Sequence, residues 1–235
     1  MIVCSAASPK MTRTLQHQLV ETHAAALTRT MVGGTTVDVD SLERALWKAL
    51  KPARSLTGRT PRRRRRVATK SRARAAGVYE ALLAKAETRD SAASTRAQYR
   101  CMLRLGDLRR YGGDATRAAA WYERARRAEP GRGDAENGLG AVTQARDRPV
   151  TAAVHYWRAS HAARPFRPAA RNFEAMLEVL RGRADDAAST VVLAFDGDAA
   201  AASARLEYLQ AEKALSVARL AECAALLEHA RVVVV

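Results

Sequence analysis

Apolar residues recur along this 235-residue chain at the spacing of amphipathic helices. Near the start, Leu15, Leu19 and Leu27 fall on one side of a helix predicted over about 11–32. The same periodicity, punctuated by Gly, Pro and Asp, predicts most of the remaining elements. These helices cover about 42–50, 73–86, 94–111, 114–129 and 169–181, with others starting near 134 and 151 and one long helix after Asp198. The pattern predicts an all-α fold, and only Val191–Phe195 fits either a helix or an extended segment.

Five residue types recur at an offset of 34 residues in the middle of the chain. The pairs are Leu105/Leu139, Gly106/Gly140, Ala118/Ala152, Tyr122/Tyr156 and Ala125/Ala159. They occupy signature positions of the tetratricopeptide repeat, a hairpin of two helices. The small residues let the two helices approach closely, and the aromatic fills the gap between them. We therefore predict a right-handed stack of helices, an architecture that binds partners and seldom performs chemistry.

Composition favours a helical scaffold without catalytic chemistry. The chain is 48% hydrophobic but only 5% aromatic, which suits closely packed helices. Cys4, Cys101 and Cys223 are too far apart for a disulfide or zinc pattern, and the five histidines form no metal-ligand motif. No apolar run approaches the ~20 residues of a membrane span. We expect a soluble, intracellular protein that is not an enzyme, carries no metal or cofactor and does not enter a membrane.

The net charge of +16 comes mostly from one segment. Eleven basic residues and no acid lie between Lys51 and Arg74, and we predict a basic loop over about 52–74. Three interpretations of this loop stay open. It contacts RNA or single-stranded DNA through counterion release, or it is a nuclear-import signal, or it is only a solvated segment. The candidate nucleic-acid ligands are Arg62, Arg63, Arg64, Arg65, Arg66 and Lys70.

The sequence around the first repeat contains more motifs than the signature of a generic helical hairpin. Its main phrases are Leu103-Arg-Leu-Gly-Asp-Leu-Arg-Arg-Tyr111, Asn137-Gly-Leu139, Ala153-Val-His-Tyr156, Pro165-Phe166 and Asn172-Phe173. In this order they resemble the N-terminal domain of the Est/Smg family, the telomerase-associated and nonsense-mediated-decay adaptors. The resemblance covers about 12–180 and is most specific over 99–173. It implies a 14-3-3-like helical fold and a protein partner in a larger complex, in several members a phosphorylated decay helicase.

The resemblance carries over to particular residues. Arg110 and Tyr111 match the Arg-Tyr pair of the family's GDxxRY phrase, whose counterparts in 14-3-3 proteins touch phosphate. Arginine also suits this chemistry independently, because its planar fork can make two hydrogen bonds to one phosphate. The alternative is that Arg110 only forms an ion pair or caps the helix end.

A second phosphate ligand is expected on the helix that carries Leu46-Trp47. The family's lysine lies five residues after this Trp, where the present chain has Pro52. Lys51 is therefore the candidate, and a solvated helix lysine is the alternative. The phosphate-binding prediction comprises Arg110, Tyr111 and Lys51.

Taken together, these features predict one helical domain over 1–235. Its expected role is that of a non-enzymatic adaptor that binds phosphopeptides or protein partners in RNA decay or telomerase assembly. The alternative is an RNA-binding subunit of a ribonucleoprotein, with telomerase as the model, that uses the arginine-rich segment. Either role places the protein in the nucleus, the cytoplasm or both.

Overall fold

The computed structural model describes residues 9–50, 60–183, 186–195, 199–211 and 217–233, and these ranges hold eleven helices and no β-strand. The helices are α1 Pro9–Gly33, α2 Thr36–Leu50, α3 Pro61–Glu87, α4 Ala92–Tyr111, α5 Ala115–Ala128, α6 Gly133–Gln144, α7 Pro149–His161, α8 Ala169–Arg181, α9 Asp186–Phe195, α10 Ala199–Ala211 and α11 Val217–Val233. The all-α prediction is confirmed. Val191–Phe195, which fitted either structure, is helical. None of the described helices is long and apolar enough to cross a membrane.

The chain divides into two compact units, Met1–Pro130 and Gly131–Val235. The first contains α1 to α5 and the second contains α6 to α11. In the first unit, fully buried core positions come from several of its helices, for example Leu27, Leu46 and Tyr79. In the second, Tyr156, Phe173 and Leu226 belong to one apolar cluster. That the whole chain acts as one domain stays a prediction.

The first unit differs from the sequence prediction at the start of α3. We expected a basic loop up to residue 74 and a helix from residue 73, whereas α3 begins at Pro61. Proline is favoured at the first helical position, because its φ angle is already helical and its missing amide proton is not needed there. Arginine is a good helix former, and neither Gly nor Pro interrupts 62–76. The part of the predicted loop over 52–59 lies outside the described residues.

The start of α2 also differs from expectation. α2 starts at Thr36, because Thr35 and Asp38 cap it: the Thr35 hydroxyl donates to Asp38 Oδ2 at 2.7 Å, and the Asp38 amide donates back to Thr35 Oγ1 at 3.3 Å. This reciprocal pattern resembles a capping box. Where a single long helix was expected after Asp198, the described residues hold α10 and α11, and residues 212–216 between them lie outside the described residues.

The two repeated hairpins, α4 with α5 and α6 with α7, share one close contact. A Cβ atom added to Gly106 would lie 2.6 Å from the Cε1 atom of Tyr122, and one added to Gly140 would lie 2.6 Å from Cε1 of Tyr156. Both tyrosines are buried. The recurring glycine is therefore required by the aromatic ring that packs against its helix, as the repeat pattern predicted.

The turn between α4 and α5 is fixed by local hydrogen bonds. The Gly112 amide donates to the carbonyl of Leu108 at 3.1 Å, and Gly113 adopts a φ of 84°, which favours glycine. Asp114 then caps α5, accepting from the Arg117 amide at 3.0 Å. The last turn of α4, with Arg109 and Arg110, is held in place by this arrangement.

The glycine–tyrosine contact generates a stability prediction. Replacing Gly106 or Gly140 with Ala places a methyl group inside the tyrosine ring's contact distance, and overpacking of this kind costs about 1–3 kcal/mol. Alanine returns up to ~1 kcal/mol in helix propensity. We expect the free energy of unfolding, measured by chemical denaturation, to fall by about 1–2 kcal/mol.

Gly77→Ala is the matched control for this prediction. Gly77 lies inside α3, and nothing lies within 4 Å of a Cβ added there. Alanine at this position should stabilise the protein by up to about 1 kcal/mol. Equal effects of the three substitutions would contradict the proposed role of the tyrosine rings.

Candidate functional site

Three arginines form a row along the buried face of α4. Arg96, Arg100 and Arg104 are spaced four residues apart, so that they lie one above another on the same side of the helix. They face two carboxylates of α2, Asp40 and Glu43. We call these five residues the arginine row. Charges this deep in a protein are tolerated only when each has its partner.

Asp40 joins the first two arginines of the row. Arg96 grips it with two bonds, Nε to Oδ1 at 2.7 Å and Nη2 to Oδ2 at 2.5 Å, and Arg100 Nε donates to Oδ1 at 2.7 Å. The Nη1 atom of Arg96, whose side chain is only 2% exposed, donates to Glu129 at 2.7 Å. Burial alone would raise the pKa of Asp40, but the hydrogen bonds and charges of Arg96 and Arg100 outweigh it and hold that pKa well below its usual range.

Glu43 joins the third arginine to α3. Its fully buried carboxylate accepts from Arg104 Nε at 2.8 Å and from Nη2 at 3.1 Å, and it also accepts from the Tyr79 hydroxyl at 2.9 Å. The Arg104 guanidinium lies 4.7 Å from the centre of the Trp47 ring, within the range of a cation–π contact. Helices α2, α3 and α4 therefore meet at one buried carboxylate.

The network continues along α4 towards the predicted phosphate site. Arg104 Nη1 lies 3.2 Å from Asp107 Oδ2, and Asp107 Oδ1 accepts from the Tyr122 hydroxyl at 2.8 Å. Arg110 Nε donates to the same hydroxyl oxygen at 3.1 Å, and its Nη2 reaches Asp107 at 3.4 Å. These contacts with Asp107 and Tyr122 fix the orientation of the Arg110 guanidinium.

Arg110 and Tyr111, the two described residues of the predicted phosphate site, lie at the end of α4. The Arg110 guanidinium lies 4.5 Å from the centre of the Tyr111 ring. The Arg110 side chain is 32% exposed, and Tyr111 is 55% exposed. Burial would lower the pKa of Arg110, but its hydrogen bond to Tyr122 and the nearby Asp107 charge raise that pKa above its ordinary value. The result is a permanently charged, pre-oriented guanidinium beside an exposed phenol.

The second repeat keeps the scaffold of this site but not its chemistry. Residues 34 positions after Asp107 and Arg110 are Ala141 and Gln144. There the Tyr156 hydroxyl donates to Gln144 Oε1 at 2.7 Å. The buried tyrosine at the equivalent position therefore contacts a cation in the first repeat and a neutral amide in the second. The cationic position is thus a feature of the first hairpin and not of the second.

The other predicted site residues are Lys51 of the phosphate site and the nucleic-acid ligands of the basic segment. Lys51 lies outside the described residues, so its place beside Arg110 stays a prediction. The basic residues 62–66 and Lys70 belong to helix α3 and not to a loop. Arg62, Arg65, Arg66 and Lys70 are exposed on that helix.

Sequence reasoning missed the arginine row. The signal was present, since Arg96, Arg100 and Arg104 are four apart and Asp40 and Glu43 are three apart, each spacing placing its members on one helix face. Nothing in the sequence indicated that the two faces meet. Among the described residues, no group of three His, Cys, Asp or Glu could hold a metal ion. Burial raises the pKa of the Cys101 thiol well above its usual range, which disfavours thiolate chemistry there.

These features define the class of protein as a helical-repeat domain with a 14-3-3-like fold and a cationic position at the end of its first hairpin. Comparison of the fold with solved structures supports this class. The structure of the C. elegans SMG5–SMG7 complex contains a chain that matches with a TM-score of 0.65 and 16% sequence identity, over 93% of the present chain and 63% of that chain. The present chain thus spans less than two thirds of its neighbour's length. No protein-family model and no curated protein matches the sequence. The Smg-like fold implied by the sequence resemblance is therefore shown.

The row generates a prediction about acid stability. Because the folded-state pKa of Asp40 is depressed, its stabilising contribution is present above the unfolded pKa of about 3.9 and is lost as the pH falls below that value. Asp40→Asn leaves Arg96 and Arg100 without their shared anion and should cost about 3 kcal/mol near pH 7. The difference in unfolding free energy between variant and wild type should shrink as the pH falls from about 4 towards 2.

Denaturant titrations at several pH values test this prediction. Asp90→Asn serves as the control, because Asp90 is an exposed aspartate of the same unit. It should change the unfolding free energy by no more than about 0.5 kcal/mol at any pH. A cost for Asp40→Asn that stayed constant down to about pH 2 would contradict the proposed role of the ionised Asp40.

Proposed function

We propose that this protein is a non-enzymatic adaptor that binds phosphorylated segments of protein partners in RNA decay. The observation that carries the proposal is Arg110, a partly exposed guanidinium held from beneath by Asp107 and Tyr122 and stacked on Tyr111. A charged group fixed before the ligand arrives loses little conformational entropy on binding. This is what recognition of a phosphate on a flexible peptide requires.

The hydrogen-bonding state of Arg110 supports a phosphate as the ligand. Its Nε is committed to Tyr122, whereas the contact from Nη2 to Asp107 is long, at 3.4 Å. Phosphoserine carries about −1.5 to −2 charge and three acceptor oxygens. The Nη atoms of Arg110 can therefore donate shorter hydrogen bonds to the phosphate than the one to Asp107. The exposed Tyr111 hydroxyl is proposed to donate a further bond, and Lys51 remains the proposed third ligand.

The adaptor role and its setting rest on the fold and on the Est/Smg resemblance. The structural neighbour is part of a complex between two proteins, SMG5 and SMG7. By analogy, we propose that the present chain works as a subunit of a larger assembly, in nonsense-mediated decay or in telomerase assembly, and that a phosphorylated helicase is the partner. We propose the nucleus, the cytoplasm or both as the place of action.

Binding of a phosphoserine peptide from the decay helicase tests this function. Hydrogen bonds to charged groups contribute ~1.5–3 kcal/mol each, so Arg110→Ala should weaken binding by about 10–100-fold. The measurement is fluorescence polarisation with the phosphorylated peptide and its unphosphorylated form. Circular dichroism confirms that the variant stays folded.

Arg117→Ala is the matched control, because this arginine lies on α5 of the same hairpin with a side chain that is 71% exposed. It should leave the affinity within about twofold of wild type. The proposal is wrong if wild type prefers the phosphorylated peptide but Arg110→Ala binds it equally well. Failure of wild type to distinguish the two peptides would remove phosphopeptide binding altogether.

A second candidate function is RNA binding through α3. The observation that favours it is the uninterrupted basic surface of this helix: Arg62, Arg65, Arg66 and Lys70 are exposed, and no acid occurs in it before Glu80. Cations near a helix N-terminus face the positive end of the helix dipole, so this arrangement is unfavourable unless an anion is nearby. A polyanion along the helix would offset both the repulsion between the cations and the helix dipole and the repulsion among the cations themselves.

Salt dependence tests the second function. If Lys51–Arg74 neutralises about five phosphates of a single strand, log K should fall with log salt at a slope of about −3.5. Replacing Arg62–Arg66 with Ser should flatten that slope while barely changing the affinity for the phosphopeptide. Unchanged RNA affinity and slope in this variant would contradict the nucleic-acid role and leave nuclear import as the function to examine.

A further inference from the structure

A basic groove lies between α3 and the turn that joins α4 to α5. Its volume is about 350 Å³. Three arginines line it, Arg65 and Arg72 from α3 and Arg109 from α4, together with Thr69. Arg72 and Arg109 are absent from the set of nucleic-acid ligands that the sequence suggested. Arg109 is also distinct from the phosphate-site residue Arg110, although the two are neighbours in sequence.

The hydrogen-bonding capacity of these arginines is largely unused within the described part of the chain. Arg65 forms no side-chain bond there, and Arg72 donates only to the Thr69 hydroxyl at 3.3 Å. The Nε atom of Arg109 is buried and has no hydrogen-bond partner, while its Nη2 has a long contact of 3.5 Å to Glu80. An unsatisfied buried donor calls for an explanation, and it belongs to an arginine that lines the groove.

The acid that lines the groove is already engaged. Asp114 caps α5 by accepting from the Arg117 amide at 3.0 Å, and its Oδ2 lies 3.6 Å from the Arg117 guanidinium. Glu80 is half exposed, and its carboxylate contacts only Arg109 among the described groups. The three groove arginines therefore exceed the carboxylate charge that is accessible to them.

We propose that this groove holds the sugar–phosphate backbone of single-stranded RNA, with Arg65, Arg72 and Arg109 contacting successive phosphates. The proposal rests on the RNA-binding function above and specifies where on α3 the strand lies. Arg65 and Arg72 are seven residues apart, which is about 10 Å along the helix axis. That separation suits a chain of phosphates better than the single phosphate of a phosphopeptide.

The lining of the groove also indicates how the RNA is read. Apart from the polar residues, it consists of Ala73, Ala76, Leu108 and Gly112, so that no aromatic side chain lines it within the described ranges. Bases stacked on aromatic rings are the usual source of single-strand contacts beyond the backbone. The groove therefore recognises the backbone without base preference, and oligouridylate and oligoadenylate should bind alike.

Exposed cations elsewhere in the first unit offer a matched control. Arg44 of α2, Lys85 of α3 and Arg127 of α5 are exposed, and none of them lines the groove or belongs to the proposed RNA-binding segment. Substituting these three removes as much positive charge from the same unit as substituting the three groove arginines. A diffuse electrostatic attraction would respond equally to both sets, whereas a built site would not.

The experiment compares two triple variants of the whole chain with wild type in binding a fluorescent oligouridylate. The groove variant carries Arg65→Gln, Arg72→Gln and Arg109→Gln, and the control variant carries Arg44→Gln, Lys85→Gln and Arg127→Gln. Glutamine keeps helix propensity. We expect the groove variant to bind at least about tenfold more weakly and its salt slope to flatten by about 2, roughly 0.7 for each phosphate that is no longer neutralised. The control variant should stay within about threefold of wild type.

A single substitution, Arg109→Lys, separates geometry from charge. Lysine retains the cation but lacks the Nε donor and the planar fork. We expect affinity to fall severalfold while the salt slope stays that of wild type. This variant also keeps the test valid if the triple groove variant fails to fold.

The outcomes distinguish the groove from the function on which it rests. Wild type that binds no oligouridylate at low salt overturns RNA binding and the groove together. Equal losses in the two triple variants, or wild-type affinity of Arg109→Lys, overturn the groove while RNA binding itself stands. Loss of phosphopeptide affinity in the groove variant, with RNA affinity retained, would assign the groove to the peptide and also contradict the proposal.

Discussion

The structure of the first unit depends on the ionic contact between α2 and α4. Taking guanidinium and carboxylate groups out of water costs several kcal/mol for each ion, and only complete pairing offsets it. Arg96, Arg100 and Arg104 can be buried because Asp40 and Glu43 arrive together on one face of α2. Neither helix can rotate or slide by one residue without leaving charges unpaired. The contact therefore fixes the register of α4, and with it the direction in which the end of that helix points.

The two repeats show how one packing solution supports different chemistry. The glycine–tyrosine contact is the same in both hairpins, since a methyl group on either glycine would come within 2.6 Å of the ring. The tyrosine hydroxyl is the point of divergence, because it holds Arg110 in the first hairpin and Gln144 in the second. A scaffold position that must be aromatic for packing thus has a polar end that can take on a role in recognition.

Whether a feature of this structure could be predicted from the sequence depends on how far apart along the chain the contacting residues lie. The helix α8 and the repeated hairpins were predictable, because their signals are periodicity, capping and small residues within about 34 positions. Arg110 and Tyr111 were proposed as phosphate ligands from a local sequence motif, and that role stays a prediction. The contact of Arg110 with Tyr122 could not be predicted, because Tyr122 belongs to another helix. The arginine row joins residues up to 61 positions apart, and the helical start of α3 was obscured because its charge resembles that of a solvated loop.

Each compact unit contains a fully buried cysteine, Cys101 in the first and Cys223 in the second. A buried thiol is inert until the surrounding structure opens. Each cysteine is thus a built-in reporter for its own half of the molecule. With Cys4 replaced, the rates at which Cys101 and Cys223 become modified give the opening free energy of each unit separately. Similar values would show that the halves unfold as one cooperative body, and different values would show that they are energetically independent.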